Sequence, residues 1–116
     1  MSFLIKPLAG HFLKDLDTIS KMDPYLKIKH GDKEQKSSVA HGAGKEPKWN
    51  DLFEFKASGN LLYVEAYDED GASDDVIGKG MFDLGQAYNK PNVAAIIDIP
   101  VSDSKGKPSG KVSISI

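Results

Sequence analysis

The sequence predicts an all-β protein, an eight-stranded antiparallel β-sandwich in which residues 1–116 form a single domain. Three observations support this fold class. Apolar residues alternate with polar residues at a period of two, as in half-buried strands. Clusters of glycine, proline, asparagine and serine separate the alternating segments and predict turns. The segments follow one another at intervals of roughly 8–16 residues, which is typical of antiparallel sandwiches.

The strands are predicted near residues 3–9, 24–30, 35–41, 51–57, 61–67, 77–84, 95–101 and 110–116. Alternation is clearest in the second, fourth, fifth and last of these. The apolar residues that share one face there are Leu26, Ile28, Phe53, Phe55, Ala57, Leu62, Val64, Ala66, Val112, Ile114 and Ile116, and they are predicted to face the core. Residues 85–94 are predicted to form a loop with room for one helical turn.

Composition narrows the function classes. A chain of 116 residues with 40% hydrophobic and 28% charged residues is long enough and apolar enough to bury a core. It has no cysteine, which excludes disulfides, thiolate metal sites and thiol nucleophiles. The formal net charge is −2, and all 15 basic residues are lysine, so nucleic-acid binding is not expected. No segment has the 18 or so apolar residues of a membrane span, and we expect a cytoplasmic protein.

Catalysis is not expected either. The three histidines are scattered along the chain, and no Gly-x-Ser-x-Gly nucleophile motif occurs. We therefore predict a binding protein rather than an enzyme.

An acidic segment, DEDGASDDVIG at residues 68–78, carries four aspartates after an apolar strand. Carboxylates about 5 Å apart repel one another by roughly 3 kcal/mol per pair at an effective dielectric constant near 20. A hard cation bound by oxygen ligands, such as calcium or magnesium, would relieve that repulsion. The alternative is a solvated turn, because aspartate is common in turns. An EF-hand is excluded, since Ser73 and Lys79 stand where its glycine and glutamate belong.

Taken together, several segments resemble the C2 domain, a calcium- and lipid-binding sandwich. They occur in the family's order and spacing: Leu13 to Asp17, MDPYLKI (22–28), PKWNDLFEF (47–55), LLYVEAYDED (61–70) and DDVIG (74–78). The resemblance covers nearly the whole chain and is greatest to small stand-alone C2 proteins. The chain opens with the strand that leads into the first aspartate loop, and Gly110 to Ile114 closes it. That order resembles the type II circular permutant.

The resemblance implies calcium as the cofactor and assigns its ligands. The implied carboxylate ligands are Asp17, Asp23, Asp68, Asp70 and Asp75, with backbone carbonyls from Leu16 and Glu69. Asp74 is the alternative to Asp75, because the third loop is one residue shorter than in common members. Asn50 matches a position that is a ligand in a minority of the family. Trp49, the only tryptophan, is interpreted as a core residue.

The resemblance also implies lipid contacts. Ile19 and Met22 in the first loop would dip into the membrane interface. Tyr25, Lys27, Lys36 and Tyr67 match a family patch that takes phosphoinositide headgroups. Two departures from that patch, Ser38 and Asp74, weaken its attraction for anions. The alternative is that these lysines form an ordinary solvated face.

The function implied by these residues is calcium-dependent binding of anionic phospholipid membranes, with phosphatidylserine and phosphoinositides as the lipid classes. The domain would be a signalling module that is cytoplasmic and becomes peripheral to the membrane when calcium binds. The alternative is a calcium-independent module that binds protein partners and uses the sandwich as a scaffold.

Overall fold

The structure, a computed structural model, describes residues 2–14, 21–85 and 95–116. Within these ranges the chain forms eight strands, which confirms the predicted all-β class. They are β1 Ser2–Phe12, β2 Pro24–His30, β3 Lys33–Lys36, β4 Phe53–Lys56, β5 Leu61–Asp68, β6 Asp75–Asp83, β7 Ile96–Ser102 and β8 Pro108–Ser115. The predicted loop at 85–94 lies outside the described residues except for Gly85.

The strands are antiparallel and follow the order β3-β2-β5-β6-β7-β8-β1-β4. One register pair, Lys79 with Ser102, joins β6 to β7, whereas the neighbouring ladders are several pairs long. The order therefore divides at this seam into two four-stranded sheets. β8 lies beside β1, with Gly110 opposite Phe12, as expected of the type II order.

The two sheets enclose one core between them. All but two of the core-facing residues predicted from the alternation are buried: Leu26, Ile28, Leu62, Val64 and Ala66 in one sheet, and Phe53, Phe55, Val112 and Ile114 in the other. Ala57 and Ile116, which directly follow β4 and β8, are half-buried. Trp49 joins this cluster, as predicted, and its indole N–H donates to the carbonyl of Pro24 at 3.3 Å. The period-two pattern was thus sufficient to assign the inner face.

The third strand is predicted near residues 35–41, but it spans Lys33–Lys36. It is therefore shorter than predicted and ends about five residues earlier. The cause is Ser37, whose hydroxyl Oγ accepts the N–H of Leu26 at 2.8 Å. A side chain thereby takes a place in the ladder that a backbone carbonyl would otherwise fill. The chain stays against β2 beyond this point, since the N–H of Ala40 donates to Pro24 O at 2.8 Å.

The antiparallel registers bring four connections to one end of the sandwich, which we call the loop end. They are the first loop (13–23), the second loop (37–52), the third loop (69–74) and the fourth loop (103–107). Pairing of Pro24 with Asp68, and of Asp68 with Asp75, brings the first and third loops together. The opposite end carries the turn at Gly31–Asp32 and the turn before Leu61.

At the seam between the sheets, β6 contains glycine at two positions that face β7. A Cβ atom added at Gly80 would overlap the carbonyl oxygen of Pro100. One added at Gly78 would lie 2.8 Å from Cγ2 of Val101. These glycines therefore allow the close approach that joins the two sheets.

We predict that Gly80→Ala lowers the free energy of unfolding by about 3 kcal/mol, because backbone rather than a flexible side chain occupies the space. Gly59→Ala is the control. Its added methyl meets open space, and its positive φ of 72° alone should cost about 1 kcal/mol. Urea unfolding of the two variants measures the difference, and equal losses would show that the seam tolerates a side chain.

Candidate functional site at the loop end

Asp68, the last residue of β5, is completely buried. Its Oδ1 accepts the backbone N–H of Asp23 at 2.9 Å. Next to it, the N–H of Glu69 donates to the carbonyl of Asp23 at 3.1 Å. Because a buried carboxylate is costly unless it is hydrogen-bonded or neutralised, this pair of bonds fixes the first loop against the third.

Asp23 extends the connection to the second loop. Its Oδ1 accepts the N–H of Gly42 at 2.6 Å. Gly42 has a positive φ of 68°, which allows the turn that presents this N–H. Asp23 is therefore held at the point where the first, second and third loops meet.

The third loop is braced by Asp74. Its Oδ1 accepts the N–H of Asp70 at 3.2 Å, and its Oδ2 accepts the phenol hydroxyl of Tyr25. The hydrogen bond from Tyr25, followed by that from the Asp70 N–H, lowers the pKa of the Asp74 carboxyl. Burial, reinforced by the bond to Asp74, raises the pKa of Tyr25. Both shifts favour the state with an ionised Asp74 and a protonated Tyr25 at neutral pH.

The remaining acidic residues surround this framework. Asp75 begins β6, directly opposite Asp68 in the ladder, and both Asp75 and Asp70 are exposed. The structure thus brings together the predicted ligands Asp23, Asp68, Glu69, Asp70 and Asp75, with Asp74 among them. Leu16 and Asp17 lie outside the described residues. Asn50 is exposed on the second loop.

A complete metal site is not formed by the described residues alone. In residues 2–14, 21–85 and 95–116, no group of three or more histidine, cysteine, aspartate or glutamate side chains is arranged to hold a metal ion. The family pattern places a further ligand, Asp17, in the part of the first loop that is not described. The ligand assignment therefore stays a prediction.

A second feature covers the outer face of the sheet that contains β2 and β5, and we call it the lysine–tyrosine face. The rings of Tyr25 and Tyr67 stack with centroids 5.5 Å apart and planes 19° apart. The ammonium Nζ of Lys36 lies 4.3 Å from the Tyr25 centroid, and Nζ of Lys27 lies 4.9 Å from the Tyr67 centroid. These distances are within the range of cation–π attraction. All four residues of the predicted phosphoinositide patch are thus adjacent.

Glu65 organises the neighbouring charges. Burial alone would raise its pKa, but the hydrogen bond from Tyr67 and the positive charges of Lys79 and Lys29 lower it. The Tyr67 hydroxyl donates to Glu65 Oε1 at 2.7 Å, and burial together with this bond raises the pKa of Tyr67 to about 12. Lys29 lies 3.4 Å and Lys79 3.8 Å from Oε2 of Glu65. Lys29 and Lys79 therefore pair with Glu65, and Nζ of Lys79 also lies 6.0 Å from the Tyr67 centroid. Lys27 and Lys36 lie over the two tyrosine rings.

Three of the residues predicted to contact lipid need correction or stay open. Met22 is fully buried in the core, so it does not offer its side chain to a membrane. Its carbonyl accepts the N–H of Gly44 at 3.0 Å, which holds this end of the first loop against the second. Ile19 lies outside the described residues. Tyr25 is 2% exposed and so supports Lys36 rather than presenting a surface of its own.

The sequence interpretation missed the contacts that brace the loops. Asp51 accepts the N–H of Ser38 at 3.1 Å and its hydroxyl at 2.9 Å, which closes the second loop. It also gave no role to the fourth loop, DSKGK at residues 103–107, which the strand order brings to the same end. The predicted order of strands could have placed this loop. In an antiparallel sandwich every second connection lies at the same end, so the connection between β7 and β8 lies at the same end as the connections after β1, β3 and β5.

The described strands thus form an antiparallel β-sandwich in which the first and third loops bring acidic residues together at one end. A model of the C2 domain family matches residues 3–112, and the chain belongs to that family. C2 domains are typically binding modules rather than enzymes. Among the described residues, no helix has the length and apolar character needed to cross a membrane.

Three relatives illustrate the match. Elicitor-responsive protein 3 of Oryza sativa subsp. japonica is 32% identical over 106 residues, which are 89% of this chain and 74% of the relative. The C2 domain A of plant extended synaptotagmin 1 superposes with a TM-score of 0.84 at 20% identity, covering 98% of this chain and 90% of that one. The C2 domains A and B of extended synaptotagmin 2, solved with calcium bound, give a TM-score of 0.77 at 26% identity, covering 98% of this chain and 44% of that one.

We predict that Tyr25→Phe destabilises the domain at neutral pH and that the loss shrinks in acid. Without the hydroxyl, the pKa of Asp74 returns toward its ordinary value. A lowered carboxyl pKa stabilises the fold above the unfolded pKa, and the stabilisation disappears as pH falls through the lowered value. Urea unfolding of wild type and variant, from neutral pH to a pH below the ordinary aspartate pKa of about 3.9, measures the change in the free energy of unfolding. Tyr63→Phe, the same change at an exposed tyrosine, is the control. If Tyr25→Phe lowers the free energy of unfolding by the same amount at every pH, the Tyr25 hydroxyl does not act through the pKa of Asp74.

Proposed function

We propose that the domain docks on anionic phospholipid membranes when calcium binds at the loop end. The observation that supports this most is the junction of Asp23 with Asp68, which collects the acidic side chains of the first and third loops in a chain of the C2 family. A buried aspartate at the meeting point of acidic loops favours a bound cation over a merely solvated turn.

The chemistry of the donor set fits calcium. Every candidate ligand offers oxygen, and hard cations that accept many oxygen ligands select such sites. The residues that would hold calcium are Asp17, Asp23, Asp68, Asp70 and Asp75, with carbonyls from Leu16 and Glu69. Asp75 is the better candidate than Asp74, because both oxygens of Asp74 already accept hydrogen bonds from Tyr25 and Asp70. Asn50 remains a lesser candidate.

Calcium would act as an electrostatic switch. The five aspartates carry a formal charge of −5 and repel an anionic surface. Two calcium ions would leave about −1 and retain open coordination positions for lipid phosphate or carboxylate oxygens. The loops are already braced by hydrogen bonds, so the change needs little rearrangement of the fold. The protein would thus be cytoplasmic and become peripheral to the membrane as calcium rises.

The lysine–tyrosine face would add a second contact for lipids with several phosphates. Lys27 and Lys36 stand over Tyr67 and Tyr25, which hold their ammonium groups on an exposed sheet surface. Phosphoinositides are the lipid class with matching charge. Asp74 at the edge of this face would reduce the attraction.

The competing function is a calcium-independent module for protein partners. It is favoured by the observation that Asp23, Asp68 and Asp74 accept hydrogen bonds within the chain, so the loops hold their shape without an ion. Calcium would then have no effect on stability or on membrane binding.

We predict that calcium at 100 times its dissociation constant stabilises the wild type by about 2.7 kcal/mol, or roughly 10 °C in melting temperature. Asp70→Asn removes a charge at constant size. It should melt slightly higher than wild type in chelator, because repulsion is relieved, but lower than wild type in calcium. It should also fail to sediment with phosphatidylserine vesicles.

The control is Asp32→Asn, the same change in an exposed turn at the opposite end. Its melting in calcium and its sedimentation should match wild type. If Asp70→Asn instead loses equal stability with chelator and with calcium, Asp70 is a turn residue. If the wild type melts at the same temperature in chelator and in calcium, the protein-interaction module is favoured.

We predict that Lys27→Ala with Lys36→Ala weakens binding to phosphoinositide vesicles by about 1 kcal/mol per lysine. Calcium affinity without lipid should be unchanged, since neither residue is a candidate ligand. Lys33→Ala with Lys56→Ala removes the same charge from exposed positions at the opposite end and is the control. Equal binding by both double variants would identify the lysine–tyrosine face as an ordinary solvated surface.

A further inference from the structure

The fourth loop is a rigid turn that presents lysines at the loop end. Oδ1 of Asp103 accepts the N–H of Lys105 at 2.9 Å and that of Lys107 at 3.0 Å. The backbone closes the same turn, with Asp103 N–H donating to Lys107 O at 2.8 Å. Gly106 has a φ of 82°, which the turn requires. Lys105 and Lys107 therefore project from a fixed backbone rather than from a flexible tail.

A cleft of about 300 Å³ lies between this turn and the end of β1. It is lined by residues that follow β1, begin β6 and surround the fourth loop: Leu13, Lys14, Val76, Ile77, Asp103, Lys107, Pro108 and Ser109. The N–H of Leu13 donates to Ser109 O at 2.9 Å, which fixes the residue after β1 to β8. Hydrogen bonds therefore fix the backbone that carries the residues of this cleft.

The charge of the cleft is opposite to that of the third loop beside it. Lys14 and Lys107 line it, and Lys105 stands on the same turn, all three exposed. The acidic group in its lining, Asp103, directs its carboxylate to the backbone N–H groups of the turn. The cleft therefore offers cations to an incoming anion, next to Asp75, where the third loop ends.

The cleft also carries apolar surface. Leu13 is 62% exposed, and it adjoins Lys14 in sequence and the half-buried Val76 in the cleft wall. An exposed leucine flanked by lysines is the combination found where proteins enter the interface of an anionic membrane, with apolar groups buried and cations at the headgroups.

We propose that this cleft is a second membrane contact, in which Lys14 and Lys107 bind the phosphate of an anionic lipid headgroup and Leu13 enters the interface. The proposal rests on the proposed function, because the same end of the domain must face the bilayer. It deepens that function by assigning an anchor that uses the chain's own cations and needs no calcium ligand. Contact at both the third and fourth loops would fix the tilt of the domain on the membrane.

The test compares Lys14→Ala/Lys107→Ala with Lys33→Ala/Lys56→Ala in calcium, using sedimentation with vesicles of phosphatidylserine and phosphatidylcholine. The cleft variant should bind at least roughly tenfold more weakly than wild type, given the attraction per surface lysine. The control should bind like wild type, because its lysines lie at the other end of a domain 45 Å long, well beyond the roughly 8 Å screening length. The rise in melting temperature with calcium should be the same in all three.

A second readout locates Leu13 directly. Because the chain has no cysteine, Leu13→Cys and Ile96→Cys can each be labelled with one polarity-sensitive dye. Both positions are exposed, and Ile96 begins β7 at the opposite end. On calcium-dependent binding to vesicles, the fluorescence emission of the dye at position 13 should shift to shorter wavelength, and that of the dye at position 96 should not.

The outcomes separate the two proposals. If wild type sediments with calcium but the cleft variant sediments equally and the dye at position 13 stays in water, the cleft is not a membrane contact and the proposed function stands. If wild type does not sediment in calcium, the proposed function fails, and the cleft proposal fails with it. Weaker sedimentation of the cleft variant together with a blue shift at position 13 supports both.

Discussion

The burial of one carboxylate determines the arrangement of the loop end. Asp68 closes the β2–β5 ladder, and its bond to the N–H of Asp23 is what places the first loop against the third. Asp23 in turn accepts the N–H of Gly42 and so fixes the second loop. A buried charge is tolerated only where donors or a counter-ion surround it. The buried carboxylate of Asp68 is thus the contact around which the acidic residues of the first and third loops are arranged.

Around this junction the domain separates its charges. The third loop carries carboxylates, while Lys27 and Lys36 cover the stacked tyrosines of the adjacent sheet and the fourth loop presents further lysines. A membrane that meets the loop end thus encounters positive groups on both sides of an acidic centre. We infer that calcium at the centre would remove the repulsion that keeps these lysines from contacting an anionic surface, which makes the three features parts of one switch.

The sequence was sufficient for the fold, but not for the contacts within the candidate site. Alternation assigned the core because each strand has one inner face. The family resemblance grouped Asp23, Asp68 and Asp70; the structure places Asp23 against Asp68, and the role of all three as metal ligands stays a prediction. The sequence interpretation failed at Met22, which was assigned to the membrane interface as a first-loop residue, although Met22 continues the period-two phase of Leu26 and Ile28 and packs in the core. It also extended β3 past Ser37, because the substitution of a hydroxyl for a backbone partner depends on tertiary contact. The fourth loop was missed because charge was judged along the chain rather than at one end of the sandwich.

The central claim is that calcium binds at the carboxylates that join the loops, and an NMR titration tests it most directly. The amides of Asp23, Gly42 and Asp70 donate to carboxylates of Asp68, Asp23 and Asp74, so their ¹H–¹⁵N resonances report on those groups. On addition of calcium, the resonances of these amides should shift strongly and saturably, while the amide resonances of the exposed Asp32 and Asp98 should not. A spectrum without saturable shifts, or with shifts spread evenly over all exposed aspartates, would contradict the account.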